Sequence, residues 1–137
     1  MSYASNTARY VENEVLVRSS EWLVPLMYEH LIINLRRAEI QIEKGDLEGR
    51  SASLGKANDI VSELLCSLDR EKGGEIAKSL ASLYSYFAVE LLNIAVSNEA
   101  GPLPRLIKVV EELHGAWVGA AEQVAPRAGA GRQLAAV

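Results

Sequence analysis

The stretch from Gly45 to Leu68, GDLEGRSASLGKANDIVSELLCSL, decides the fold. It opens on a helix stop and a helix start set side by side. Gly45 suits the residue just past a helix end, where left-handed backbone carries no side-chain penalty. Asp46 has the short carboxylate that accepts from the orphan N–H groups of a first helical turn. Leu54, Ala57, Val61, Leu64, Leu65 and Leu68 then recur at i, i+3, i+4 and i+7, the spacing of an amphipathic helix with one face toward a core. A break this tight makes the helices on its two sides an antiparallel hairpin.

Upstream, Ser19 or Ser20 can cap a first helix that runs to about Lys44, with Met27, Leu31, Leu35, Ala38 and Ile42 on its core side. Pro25 lies past the first turn of such a helix, so a kink or a later start is expected. Downstream, Gly73-Gly74 opens a turn. A third helix then runs from about Glu75 to Ser97, with Ile76, Leu80, Leu83, Phe87, Leu91 and Ile94 on one face. Gly101, Pro102 and Pro104 punctuate the next break. A fourth helix carries Leu106, Val110, Leu113, Trp117 and Val124 on one face and ends at Pro126. Four helices with short connections predict an all-α, antiparallel up-down-up-down four-helix bundle. The domain is expected over 1–126, with a mixed lead-in at 1–18 and a flexible tail at 127–137 that lacks a packing pattern.

Composition narrows the function classes. A chain of 137 residues, 49% hydrophobic and 23% charged, folds as one domain. A net charge of −4, with Arg36-Arg37 as the densest basic spot, argues against nucleic-acid binding. The start, Met1 to Asn6, lacks the basic and apolar regions of a secretory signal. No apolar stretch approaches the roughly 20 residues of a membrane span. A cytoplasmic protein without membrane insertion is expected. The single cysteine, Cys66, lies in an apolar run and reads as a small buried hydrophobe.

No catalytic constellation assembles. Glu111-x-x-His114 matches half of a di-iron bundle signature, which needs that pair twice. The other histidine is His30, and position 27 is Met, so the second pair is missing. Gly73-Gly74-Glu75 lacks the Lys and Ser/Thr of a phosphate cradle. No metal, cofactor or enzymatic activity is expected.

The pattern carries more apolar surface than one core needs. At ~100° per residue, Trp22, Leu26, Ile33 and Ile40 form a second stripe on helix one, nearly opposite the first and flanked by Arg36 and Arg37. Val89, Leu92 and Val96 lie away from the core face of helix three, and Ile60 lies off the main face of helix two. A monomer rarely leaves such stripes uncovered. The cover is the chain's own N-terminal segment, a second copy, or an amphipathic partner segment laid into a groove.

A set of motifs along the chain resembles one family. Tyr10, the turn Leu68-Asp69-Arg70-Glu71-Lys72-Gly73-Gly74-Glu75-Ile76-Ala77, the following Leu83-Tyr84-Ser85-Tyr86 and the late Ala116-Trp117 are similar to the flagellin-specific export chaperones of bacterial flagella. The resemblance covers about residues 3–124. It departs at Met27-Tyr28-Glu29-His30, at Ser85 where an Asp is usual, at Ala95-Val96, and at Pro25, Pro102 and Pro104. It implies a chaperone that binds the disordered C-terminal segment of flagellin, prevents premature polymerisation and presents the client to the type III export gate. It also implies an N-terminal segment, holding Tyr10, packed over part of the client groove. Tyr10, Ile33, Ile40, Ile60, Val89, Leu92 and Val96 are then the expected partner-binding residues. An anti-sigma factor is a further partner the resemblance admits. A homodimeric structural or adaptor bundle without a flagellin client is the alternative.

Overall fold

The computed structural model describes residues 20–124. Tyr10, the expected cover over 1–18 and the expected tail over 127–137 lie outside them. A 3-10 turn, Ser20–Trp22, leads into four helices: α1 (Leu23–Lys44), α2 (Leu47–Cys66), α3 (Arg70–Ser97) and α4 (Leu103–Val124). No strand occurs among the described residues. The chain divides into two compact units, one joining the residues up to Glu29 with those from Glu111 onward, the other spanning His30–Val110.

Within His30–Val110, the decisive stretch folds as its residues dictate. Gly45 takes φ +73°. Its N–H donates to the Ile42 carbonyl at 3.2 Å, and Asp46 N–H donates to the Gln41 carbonyl at 2.9 Å. The Asp46 carboxylate accepts from Gly49 N–H at 2.9 Å, capping α2. With its nitrogen turned toward the Arg37 and Gly49 carbonyls, the Gln41 amide also donates to Ser53 Oγ at 2.7 Å. That contact ties the last turn of α1 to the second turn of α2 and holds the two antiparallel.

The second turn is built on the double glycine. Asp69 Oδ1 accepts from Glu71 N–H and Lys72 N–H at 3.1 and 3.0 Å. Gly74 takes φ +52°, ψ −128°, so α3 is one turn, a kink and a long helix from Glu75. Gly73 is needed for space instead, since a Cβ there would stand 2.6 Å from Ala77 Cβ. Asn98 ends α3 in the left-handed region at φ +57°, with its N–H donating to the Ile94 carbonyl at 2.8 Å. Pro104 sits in the first turn of α4, where its missing N–H needs no helical partner.

Leu31, Leu35 and Ala38 of α1, Leu54, Ala57, Val61 and Leu64 of α2, and Tyr84, Phe87, Leu91 and Ile94 of α3 are buried, with Leu103, Leu106, Ile107 and Val110 from α4. The Tyr84 and Phe87 rings lie 6.2 Å apart at 47°, within the range of favourable aromatic pairs. In the other unit, Trp22, Pro25, Leu26 and Tyr28 are buried at the head of α1. Pro25 is accommodated by the later helix start: with α1 beginning at Leu23, it falls in the first turn. His114 Nε2 lies 3.3 Å from Glu29 Oε2.

Several expectations are corrected. Cys66 is exposed, because it is the last residue of α2 and points off its core line. Ile76 is 73% exposed and Val124 is exposed, both near helix ends. Met27, Ile42, Leu65, Leu80, Leu83, Leu113 and Trp117 are only half-buried. One helix, α3, does reach the length and apolarity of a membrane span, with a mean hydropathy of 1.4 over its richest 18-residue window. Its apolar residues on both sides raise that value, while Ala77, Tyr84, Phe87, Leu91 and Ile94 are buried in the helical core.

Candidate partner-binding surface

The second stripe of α1 splits in two. Trp22 and Leu26 are 1% and 2% exposed, so the protein covers them itself, whereas Ile33 and Ile40 are 44% and 51% exposed. Trp22 precedes the α-helix in the 3-10 turn, where each residue advances by about 120° rather than 100°. Ile33 and Ile40, seven residues apart, share the side of α1 opposite Leu31, Leu35 and Ala38. Arg36 and Arg37 on that side are exposed.

On α3 the three expected residues are all open. Val89 and Leu92 are more than half exposed and Val96 is 80% exposed. Their spacing of three and four places them in one stripe. Leu92 also borders a groove between α2 and α3, of about 350 Å³, lined further by Arg50, Ser51, Leu54, Gly55, Asn58, Leu91 and Ala95. The start of α2 lies beside the end of α3, as an antiparallel hairpin requires. Leu47, more than half exposed, lies on the same helical line as Ser51, Leu54 and Asn58 and extends the apolar surface toward the helix end.

Ile60 is not part of this groove. It is half-buried on the flank of α2 that carries Ser53, the side facing α1. The seven expected residues therefore do not form one patch. Val89, Leu92 and Val96 form one stripe on α3, of which Leu92 lines the α2–α3 groove. Ile33 and Ile40 lie on the back of α1, Ile60 lies apart, and Tyr10 is outside the described residues.

The groove's own floor was missed by sequence reasoning, although a signal was present. Ser51 and Gly55 on α2 and Ala95 on α3 are small where the two helices face each other. A Cβ at Gly55 would meet nothing within 4 Å. Small residues there lower the floor, and Leu54, Leu91 and Leu92 supply apolar walls. Arg50 is the one charged lining residue. Its Nε is buried, with no hydrogen-bond partner among the described residues. An amphipathic helix with apolar residues on one side fits such a groove. Fully covering a Val or Leu side chain contributes roughly 1.5–3 kcal/mol, so covering Val89, Leu92 and Val96 supplies at most about 9 kcal/mol, and micromolar binding needs further contacts once ordering costs of ~4 kcal/mol or more are met. Among the described residues no group of three His, Cys, Asp or Glu could hold a metal ion.

The family model described as flagellar protein FliS matches residues 2–124. The flagellar secretion chaperone FliS of Salmonella typhimurium is 32% identical over 119 residues, 86% of this chain and 85% of the relative. The flagellar secretion chaperone FliS of Campylobacter jejuni is 32% identical over 109 residues, 79% of this chain and 84% of the relative. The flagellar secretion chaperone FliSB of Pseudomonas aeruginosa is 28% identical over 109 residues. A crystal structure of a bacterial flagellar chaperone superposes with a TM-score of 0.72, covering 88% of this chain and 98% of that one. At 22% identity it speaks to the fold alone.

Proposed function

The chain belongs to the flagellar protein FliS family, and from that premise we propose that it is a cytoplasmic export chaperone for flagellin. Its family is one of chaperones, not enzymes. In this reading it binds the disordered C-terminal segment of flagellin, keeps it from polymerising, and delivers it to the flagellar type III export gate. The proposed domain is 1–126; the expected cover, 1–18 with Tyr10, lies outside the described residues.

The observation that carries the reading is the exposed stripe Val89, Leu92 and Val96 beside the α2–α3 groove. A client helix laid there buries surface the folded chain leaves open. Ile33 and Ile40, on the back of α1, suit a client long enough to wrap the molecule. The ordering cost of a segment that folds on binding tempers affinity, which keeps release at the export gate possible.

Calorimetric titration with a C-terminal flagellin fragment from the same organism tests this. One-to-one binding at micromolar affinity or tighter, with helicity gained by the fragment, is expected. Val89→Asp with Leu92→Asp should weaken it by tenfold or more while helicity and Tm stay nearly unchanged. A fragment that does not bind, with a concentration-dependent dimer in light scattering, would replace this reading with the adaptor alternative.

A further inference from the structure

We infer that Arg50 is the polar anchor of the α2–α3 groove and takes a carboxylate carried by the amphipathic segment that occupies it. The inference rests on the reading of the groove as a client site and adds a chemical requirement to it: an Asp or Glu set among the apolar residues that meet Leu54, Leu91 and Leu92.

Arg50 is half-buried and its Nε is enclosed, yet its guanidinium makes no hydrogen bond or ion pair with any described residue. Its recorded bond is through the backbone, from its N–H to the Asp46 carbonyl at 3.0 Å. Asp46, one turn back on α2, is the natural acidic partner at i, i+4. That carboxylate is committed instead to Gly49 N–H as the helix cap. The other lining residues are Ser51, Leu54, Gly55, Asn58, Leu91, Leu92 and Ala95, with no acid among them. One guanidinium donor, Nε, is enclosed beside leucines without an acceptor, which is unfavourable in the free protein. It becomes favourable when a carboxylate arrives, because Nε and one terminal nitrogen form a planar fork that matches two carboxylate oxygens. The walls that enclose Nε strengthen that pair once the groove is filled. Leucines alone would accept any apolar helix in several registers, and a fixed fork at one end selects the register that brings an acid to it.

The test pairs affinity with stability, using the full chain and the C-terminal flagellin fragment. Arg50→Leu keeps the apolar stem and removes the fork, and Arg50→Lys keeps the charge without the fork. The expected result is at least tenfold weaker binding for Arg50→Leu and an intermediate loss for Arg50→Lys. The wild-type Kd should also rise with salt more steeply than that of Arg50→Leu. The Tm of Arg50→Leu should equal or exceed the wild type, since the unpaired guanidinium holds nothing in the free fold. Replacing the fragment's acids one at a time by their amides should reveal one whose loss weakens wild type as much as Arg50→Leu does and has no effect on that variant. If Arg50→Leu binds as well as wild type while Leu92→Asp does not, the groove stands and the anchor falls. A lowered Tm in Arg50→Leu, or no coupled acid in the fragment, also overturns the anchor by making Arg50 a structural residue. If the unaltered chain fails to bind the fragment, the chaperone reading falls and the anchor with it.

Discussion

Asn34 is a buried side chain with only half of its hydrogen-bonding capacity used. It is 4% exposed on the core side of α1. Its Nδ2 donates to the His30 carbonyl at 2.8 Å, and its Oδ1 is buried without a partner among the described residues. An orphaned acceptor costs about 1–3 kcal/mol in desolvation, and one neutral hydrogen bond returns about 1 kcal/mol. Asn34→Leu, the same in branching though larger, is therefore expected to leave stability unchanged or raise it by about 1 kcal/mol where the core gives room, a gain of several degrees in Tm by circular dichroism. A fall of that size would mean that a bound water satisfies Oδ1. The Glu29–His114 contact has the opposite standing. At 3.3 Å it looks structural, but both side chains are a quarter to a third exposed. Such a pair contributes less than about 1 kcal/mol, so His114→Gln should move Tm by only a few degrees at most.

Glycine shows how one substitution takes opposite signs in different elements. Gly74 holds φ +52°, ψ −128° at the kink of α3, a conformation nearly closed to residues with a Cβ. Gly74→Ala should cost about 1–3 kcal/mol, read as a lower urea midpoint with the slope unchanged. Gly55 lies in the body of α2 with open space around it. Gly55→Ala should stabilise by about 0.5–1 kcal/mol through helix propensity alone. Equal effects at the two sites would remove the conformational account of the turn. Helix ends were partly legible in the sequence for the same reason: Gly45, Asp46 and Gly74 act on backbone groups a few residues away, so local chemistry determines them, whereas the turn from Arg70 capped by Asp69 precedes the expected start at Glu75. The faces were less legible. Periodicity assumes one continuous helix, and the phase is lost at the 3-10 turn before Leu23 and at the Gly74 kink. Periodicity puts Trp22 outward, yet it is buried, and puts Ile76, the second residue after the kink, inward, yet it is exposed. The groove was least legible, because a floor of Ser51, Gly55 and Ala95 exists only once α2 and α3 face each other.

At the scale of the whole molecule, the apolar stripes mean that the free protein is not at its lowest attainable free energy in water. Val89, Leu92 and Val96 stay open, an exposed stripe that the proposed client would cover. Ligand linkage turns that into a measurement. A client that binds only the folded chain adds about 2.7 kcal/mol of stability at one hundred times its Kd, which for a domain of this size raises Tm by roughly 10 °C. The rise should grow with the logarithm of fragment concentration. Binding should also show a negative heat-capacity change, because apolar surface leaves water on both partners as the fragment folds. In the Val89→Asp, Leu92→Asp double variant the Tm of the free protein should stay within a few degrees of wild type, while the fragment-induced rise shrinks by the amount expected from the weaker Kd. A double variant that is itself unfolded would mean those side chains hold the fold, and the open stripe would then need a cover from within the chain. A Tm that climbs with the chain's own concentration and ignores the fragment would assign the stripe to a second copy. Only the client reading predicts a stability that follows the fragment, through residues whose removal leaves the empty protein intact.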